Sequence, residues 1–320
     1  MAQSEEDFLV QLAWLYYVAN LNQEEIAARL GVSRFKINRL LARARETGIV
    51  RISIDHATVA TLELGEAIAR RFGLIECIVT PPTGPLGDPA SEEAAARRAV
   101  GIAAAAFLTR RLEEADRLVV GLAWGRTIAA LVEAMPSLKK AEARFVSLMG
   151  SLSRTARTNP FDCVQALAQR CGGEAYLLPA PFIADSEADY DVIMSQKLVQ
   201  ESLALARQSD LIVASFGDAS ENSFISTYDL VHREEIEQLT RDGAVADMLG
   251  KFFDREGRIV DSPLNRRTPG IGADDMRARE IVLLGAGRGK GEALAALLRS
   301  GLVTRLIVDG DLAEAVAALD

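Results

Sequence analysis

The sequence predicts an α/β protein in two parts. A winged helix-turn-helix domain over residues 1–56 is followed by a Rossmann-like three-layer αβα domain over 57–320. Two observations support this. Residues 23–45 have the spacing of two short helices joined by a tight turn, and from about residue 75 apolar strands alternate with helices, as in a parallel sheet covered on both faces. The length of 320 residues suits two domains and exceeds one small module.

The composition is that of an ordinary globular protein, with 49% hydrophobic and 25% charged residues. The apolar runs are too short for a transmembrane helix, and the acidic N-terminus lacks the features of a signal peptide. We therefore expect a cytoplasmic protein without membrane contact. Three cysteines without a CxxC pair, and only two histidines, do not favour a metal site. No cofactor is expected.

The first predicted helix covers residues 7–20. Its apolar face is formed by Leu9, Leu12, Ala13 and Tyr16. Trp14 and Tyr17 lie off this face. They would either contact a partner or close a small core, and we favour the core.

Residues 23–45, QEEIAARLGVSRFKINRLLARAR, carry the helix-turn-helix pattern. Asn22 and Ser33 are good N-caps for the two helices, and Glu25 completes a capping box with Asn22. Gly31 supplies the turn, because a left-handed backbone has a low cost only for glycine. The spacing of the motif rests on Gln23, Ala27, Gly31 and Ile37, and the buried stripe of the second helix on Ile37, Leu40, Leu41 and Ala44.

The opposite face of the second helix is basic. Between residues 29 and 51 there are seven basic residues and one acidic residue, in a chain whose net charge is −9. A solvated basic helix would show this charge without the helix-turn-helix spacing, so the combination favours double-stranded DNA as a partner. The first residues of the second helix of such a motif enter the major groove, and an alternating segment at 49–54 would form the wing. The predicted DNA-contacting residues are Gln23, Ser33, Arg34, Lys36, Asn38, Arg39, Arg43 and, in the wing, Arg51. Which of them contact bases and which contact phosphates stays open.

The rest of the chain alternates between strands and helices. Strands are predicted at 75–80, 118–120, 144–148, 175–178, 210–215, 280–284 and 306–308. Helices are predicted at 58–71, 91–112, 128–134, 162–170, 195–208 and 293–300, with one more at the C-terminus. Ligands of such folds bind beyond the carboxyl ends of the strands, so we expect the loops at 121–127, 150–160, 217–227 and 285–290 to converge.

Three stretches carry candidate ligand groups. Residues 121–127, GLAWGRT, join a strand to a helix start, where glycines and backbone N–H groups suit an anion or a polyol, although a purely structural turn fits equally well. Asp247 lies in an apolar run and needs a partner, either sugar hydroxyls or a neighbouring loop. Lys290 ends a glycine loop and would neutralise a phosphate, pair with Asp247 or remain solvated.

Taken together, these motifs resemble the SorC family of bacterial sugar-responsive transcriptional regulators. The matching stretches, in chain order, are LAWLYY, SRFKINRLLARAR, GLAWGRTI, DLIVASFGD, GAVADMLGKFFD, GAGRGKGEAL and GLVTRLIVD. The resemblance covers nearly the whole chain. It implies a C-terminal domain similar to the folds of glucosamine-6-phosphate deaminase and ribose-5-phosphate isomerase, without their catalysis. It also implies a homo-oligomer, a dimer or a tetramer, whose operator binding changes with a small sugar or sugar phosphate.

The resemblance also implies an effector site. By it, the effector-contacting residues are Gly121, Ala123, Trp124, Gly125, Arg126, Thr127, Asp247 and Lys290. Two departures lie where a phosphate would be held. Ala123 stands where the family often has Ser or Gly, and GAGRGK replaces the more usual Ala-Gly-Gly-Glu-x-Lys, so a neutral sugar or polyol is a real alternative to a phosphorylated effector.

Two functions compete. A ligand-gated transcription factor of a carbohydrate-utilisation operon would bind duplex DNA in a salt-dependent way and respond to a small carbohydrate. A sugar-phosphate isomerase or deaminase with an added DNA-binding domain would need a positioned acid or base. The candidates for that role are Asp247, Asp218 and His232, and none lies in a recognised catalytic motif.

Overall fold

The structure is a computed structural model that describes residues 5–19, 21–50, 59–82, 84, 86–151, 163–219, 223 and 231–319. It divides into two compact units, Met1–Asp55 and His56–Asp320. The predicted wing beyond Val50, including Arg51, lies outside the described residues, as do 152–160 and 224–227 of the predicted ligand loops.

The first unit is helical. Helix α1, Glu5–Ala13, continues as a π-helical turn, Trp14–Val18, and is followed by α2, Gln23–Leu30, and α3, Arg34–Glu46. Its small core contains Leu9, Leu12, Leu15, Ile26, Ile37, Leu40, Leu41 and Ala44. Trp14 does not join this core. It is 56% exposed, so the expectation that it closes the core is wrong, whereas Tyr17 packs against the core as expected.

The predicted caps and turn of the helix-turn-helix segment are present. The Asn22 side chain accepts hydrogen bonds from the backbone N–H groups of Glu24 and Glu25, and the Glu25 carboxylate accepts one from the Asn22 N–H at 2.8 Å. Gly31 ends α2 with φ 65°, the left-handed conformation that glycine adopts without a steric cost. Ser33 caps α3 by accepting the Lys36 N–H. Local sequence therefore fixes both helix starts and the turn between them.

The second unit is built on a sheet. Its strands are β1 Glu76–Thr80, β2 Val119–Leu122, β3 Arg144–Ser147, β4 Glu174–Tyr176, β5 Leu211–Asp218, β6 Ala246–Met248, β7 Lys251–Phe253, β8 Glu280–Gly285 and β9 Arg305–Asp309. Seven of the described strands are parallel, in the order β1-β9-β8-β5-β2-β3-β4. The order reverses at β2, which pairs with both β3 and β5, so right-handed crossovers place helices on both faces.

Helices connect these strands. They are α4 Val59–Phe72, α5 Pro89–Glu114, α6 Arg126–Ala134, α7 Cys163–Cys171, α8 Glu187–Ser195, α9 Lys197–Ala206, α10 Arg233–Arg241, α11 Pro263–Arg266, α12 Ala273–Arg277, α13 Gly291–Arg299 and α14 Gly310–Ala317. The helix predicted at 195–208 is in fact the second of two, since the chain bends to an extended conformation at Gln196. Within the described ranges, no helix is long and apolar enough to cross a membrane.

An antiparallel hairpin extends the sheet beyond its parallel part. The end of β5 pairs with β6, and β6 pairs with β7 through the two-residue turn Leu249-Gly250. Both turn residues have positive φ, 53° for Leu249 and 72° for Gly250. For leucine this conformation costs roughly 1–2 kcal/mol, so the surrounding packing must hold the turn in place. The hairpin brings Asp247 directly opposite Gly217.

Candidate functional site

A cavity of about 90 Å³ lies where the strand order reverses. It sits beyond the carboxyl ends of β2 and β5, the position at which open α/β sheets bind ligands. Its described lining residues are Arg97, Ala123, Trp124, Gly125, Arg126, Thr127, Met149, Ser215, Phe216, Gly217, Asp218, Asp247, Leu249 and Lys290. The strand ends and the hairpin thus bring together groups that are far apart in the sequence.

The segment between β2 and α6 forms one wall of this cavity. The indole N–H of Trp124 donates a hydrogen bond to the Gly150 carbonyl at 2.9 Å, and its ring packs edge-on against Phe182 with centroids 5.0 Å apart. Gly125, with φ 136°, precedes α6, and an added Cβ would lie 3.2 Å from the Ser215 hydroxyl. The first turn of α6, with Arg126 and Thr127, lines the cavity, and the backbone N–H groups of a first helical turn have no partner within the helix.

Asp247, on β6, also lines the cavity. Its carboxylate lies against the Cα of Gly217, where a Cβ could not fit, and it accepts a hydrogen bond from the Gly217 N–H. Burial, followed by the negative charge of Asp218, raises the pKa of Asp247 to about 7, although Lys290 and the Gly217 hydrogen bond act in the opposite direction. At neutral pH this carboxyl can either donate to or accept from a ligand hydroxyl.

Glu93, on α5, forms ion pairs with three cationic side chains that line the cavity. Its carboxylate pairs with Arg97 at 2.5 Å, Lys290 at 3.4 Å and Arg126 at 4.0 Å. Burial alone would raise the pKa of Glu93, but Lys290, Arg97 and Arg126 together hold it below its usual range. Lys290 therefore pairs with Glu93 rather than with Asp247, one of the partners considered from the sequence.

A second cleft, of about 590 Å³, adjoins the first and shares Asp218 and Lys290 with it. It lies against the start of α5 and the glycine loop after β8. The loop is tied to β9, because the Gly287 N–H donates a 2.8 Å hydrogen bond to the Asp309 carboxylate. The two clefts together offer more room than the small cavity alone.

Most of the predicted effector residues meet in this cavity. Ala123, Trp124, Gly125, Arg126, Thr127, Asp247 and Lys290 all line it. Gly121 does not, because it lies inside β2, where an added Cβ would meet Leu148 and the Ser209 hydroxyl at 2.6 Å. Its role is close packing, which corrects the expectation of a ligand contact. Of the predicted loops, the described parts of 121–127, 217–227 and 285–290 contribute lining residues to the cavity. Gly150, at the start of the fourth predicted loop, accepts the Trp124 hydrogen bond and is not one of the described lining residues.

Several lining residues were missed by the sequence reasoning. Glu93 and Arg97 belong to the run EEAAARR, which has the pattern of a solvated helix face. Ser215 is the last residue of the strand predicted at 210–215 and could have been found from that position alone. Leu249 could not be recognised from the sequence as a turn residue, since leucine is rare in the left-handed conformation that it adopts here.

The exposed face of α3 carries the predicted DNA-contacting side chains. Ser33, Arg34, Lys36, Asn38, Arg39 and Arg43 are exposed, and Gln23, at the start of α2, is half-buried. Arg34 forms a 3.1 Å ion pair with Glu24 of α2, which orients its guanidinium beside the helix start. Phe35, another of the first residues of α3 and so expected at the major groove, is 79% exposed on this face. An exposed aromatic among basic side chains suits apolar contact with a base edge.

Comparison with known proteins agrees with this architecture. The family model "Putative sugar-binding domain" matches residues 56–318. Over 316 residues, 99% of this chain and 98% of the relative, the sequence is 32% identical to the erythritol catabolism regulatory protein EryD of Brucella abortus (strain 2308). The full-length sorbitol operon regulator SorC from Klebsiella pneumoniae matches with a TM-score of 0.74 and 25% identity, covering 97% of this chain and 98% of that one. The chain belongs to the SorC family of transcriptional regulators.

A further relative is also a transcriptional regulator. The transcriptional regulator LsrR of Enterobacter sp. (strain 638) is 28% identical over 325 residues, covering 100% of this chain and 95% of the relative. The family model spans almost the whole second unit, so the cavity at the β2–β5 reversal lies inside the sugar-binding domain of this SorC-family regulator. These matches favour a regulator over the isomerase or deaminase alternative.

Proposed function

We propose that this SorC-family chain binds operator DNA through residues 1–56, and that a small carbohydrate in the cavity of residues 57–320 changes that binding. The observation that carries the proposal is the cavity itself. Trp124–Thr127, Asp247 and Lys290 converge at the reversal of strand order, inside the matched sugar-binding domain. Carboxylates, hydroxyls and an aromatic ring face suit sugar hydroxyls and C–H groups.

For the DNA-binding part, we propose that Ser33, Arg34, Lys36, Asn38 and Arg39 enter the major groove. Gln23, Arg43 and Arg51 would hold the adjacent backbone. Support comes from the exposure of the described side chains on α3 and from the glycine turn that sets α3 against α2. One such helix contacts too few base pairs for a specific operator, so we also propose a homo-oligomer, a dimer or a tetramer, that places several copies on the duplex.

For the effector, EryD supports a carbohydrate because its name refers to erythritol catabolism. By analogy, we propose that the genes controlled here serve the use of a sugar or polyol.

The DNA-binding assignment can be tested with Arg34→Ala plus Arg39→Ala. We expect this double variant to lose at least tenfold in affinity for its operator, selected from random duplexes, and to show a shallower dependence on salt. Arg233→Ala plus Arg241→Ala removes the same charge from the exposed face of α10 and serves as the matched control. Normal operator binding by the α3 variant would show that α3 is not the reading helix.

The effector can be sought by fluorescence, because the chain has only two tryptophans, Trp14 and Trp124. In a Trp14→Phe background Trp124 alone reports on the cavity. Sugars, polyols and their phosphates are screened for a change in emission and in melting temperature, and hits are then tested against operator binding. Turnover of ribose 5-phosphate or glucosamine 6-phosphate by the purified protein would instead support the isomerase or deaminase alternative, for which Asp247, with its pKa of about 7, would suit as the base.

A further inference from the structure

We propose that Glu93 acts as an internal counterion that makes the cavity select neutral polyhydroxylated ligands over phosphate esters. The proposal deepens the proposed function, since it rests on the cavity being the effector site. It assigns a specificity-determining role to a residue of α5 that lies outside the strand-end loops.

The cations that a phosphate would need are already paired. Arg97, Arg126 and Lys290 are the described cationic residues that line the cavity, and all three lie within 4.0 Å of the Glu93 carboxylate. Glu93 thus occupies the position, relative to these cations, that a phosphate would take. A dianionic phosphate would have to share them with a carboxylate, and like charges at such distances repel each other strongly in a partly buried site.

The charges around the cavity nearly cancel at neutral pH. Among the described residues, Arg97, Arg126 and Lys290 face the carboxyl groups of Glu93, Asp218 and Asp247, and Asp247 is only partly ionised because its pKa is about 7. A neutral ligand leaves this balance unchanged, whereas a phosphate ester adds about two negative charges. Carboxylates accept hydrogen bonds from hydroxyl groups, and the hydroxyls of Thr127 and Ser215 add further polar partners. These groups match a chain of alcohols better than a phosphate.

Glu93 is held in place and does not have the freedom of a surface side chain. An added Cβ at Gly287 would lie 3.2 Å from the Glu93 Cγ, so the glycine loop packs closely along its stem. The pair with Arg97, one turn along α5, fixes the carboxylate from the other side. Swinging Glu93 away to admit a phosphate would break three ion pairs at once.

The test compares Glu93→Gln with Glu92→Gln, both in the Trp14→Phe background. Glutamine keeps the shape of Glu93 and removes its charge. Glu92 is the adjacent residue on α5 and lines the same outer cleft as Glu93, but its carboxylate accepts a hydrogen bond from the Leu86 N–H, whereas the Glu93 carboxylate pairs with the three cations, so its substitution removes the same charge from a different set of contacts. Inorganic phosphate is titrated while Trp124 emission is followed. Erythritol, ribitol and sorbitol are titrated in parallel with their terminal monophosphates, and melting curves verify that each variant folds.

We expect Glu93→Gln to bind inorganic phosphate at least tenfold more tightly than the parent and Glu92→Gln do. We also expect the parent to bind at least one polyol tenfold more tightly than its monophosphate. The proposal is overturned if a well-folded Glu93→Gln gains no phosphate affinity over Glu92→Gln, or if the parent prefers a monophosphate. Failure of every polyol and monophosphate to bind the parent would overturn the effector site itself, while the inorganic phosphate titration would still decide the role of Glu93.

Discussion

Asp247 shows how one residue can favour ligand binding at the expense of stability. Its carboxyl group is buried beside Asp218, and these two effects raise its pKa to about 7. The unfolded chain, in which this group titrates near 3.8, loses the proton much earlier. The native state therefore binds more protons than the unfolded state between these pH values, and the contribution of Asp247 to stability falls as pH rises through that range.

Asp247→Asn should remove this penalty. We expect the variant to be more stable than the parent at pH 8, by roughly 2–4 kcal/mol, and to differ little from it at pH 4, where the parent carboxyl is protonated. Urea unfolding at several pH values measures the difference. Asp116→Asn, on an exposed loop, is the control and should change stability by less than about 0.5 kcal/mol at either pH. A constant difference between variant and parent across this range would contradict the raised pKa.

Residues also mark the limit of reasoning from the sequence. Trp124–Thr127, Asp247 and Lys290 were found because glycines, a strand end or an apolar setting made them unusual in their local context. Glu93 has the local context of a surface helix, and only the packing of α5 beside the start of α6 places it among three cations. Gly121 shows the opposite error. Its motif position suggested a ligand, but its lack of a side chain serves close packing inside β2.

Among the elements, the pairing of α5 with α6 matters most for the site. Helix α5 carries Glu93 and Arg97, while α6 begins with Arg126 and Thr127. The two helices approach closely at Gly101, where an added Cβ would lie 2.6 Å from the Ala130 backbone. Any side chain there must push the helices apart, because backbone atoms cannot move aside as a flexible side chain can.

Gly101→Val should therefore destabilise the second unit by about 1–3 kcal/mol, the usual cost of overpacking a well-packed contact. It should also weaken binding of the effector, since it separates Glu93 from Arg126. Ala106→Val, on the exposed face of the same helix, controls for the helix propensity of valine. Thermal melts and Trp124 titrations give the two readouts. If the two variants had equal stability, the close approach would be less tight than the structure shows.

Element boundaries were predictable where periodicity and caps agreed. The parallel strands follow from apolar runs, and the helices α2 and α3 follow from their caps and apolar stripes. The hairpin of β6 and β7 could not be foreseen, because its turn is Leu249-Gly250 instead of the Asn-Gly or Asp-Gly typical of such turns. The leucine fits there because it is buried against the cavity, so tertiary packing overrides the local preference.

At the scale of the whole molecule, the distribution of charge distinguishes the part proposed to bind DNA from the part proposed to bind the effector. The chain carries a net charge of −9, yet α3 contains five basic residues and one acidic residue. An acidic protein is repelled from DNA in general, so the basic helix α3 and the residues beside it are expected to approach the phosphates. We infer that attraction to DNA comes mainly from α3 and that control of binding comes from the second unit.

This division predicts how a shortened chain behaves. A protein of residues 57–320 should fold, because the core of the second unit is closed by its own side chains. It should bind the effector within about twofold of the affinity of the DNA-free full-length protein, but operator DNA should not change that affinity. In the full-length chain, operator DNA should change effector affinity by the same factor as the effector changes operator affinity, because linkage is reciprocal. Trp124 titrations with and without duplex measure all of these quantities. A shortened chain that melts normally yet loses the effector would show that residues 1–56 contribute to the effector site, and the proposed division would then be wrong.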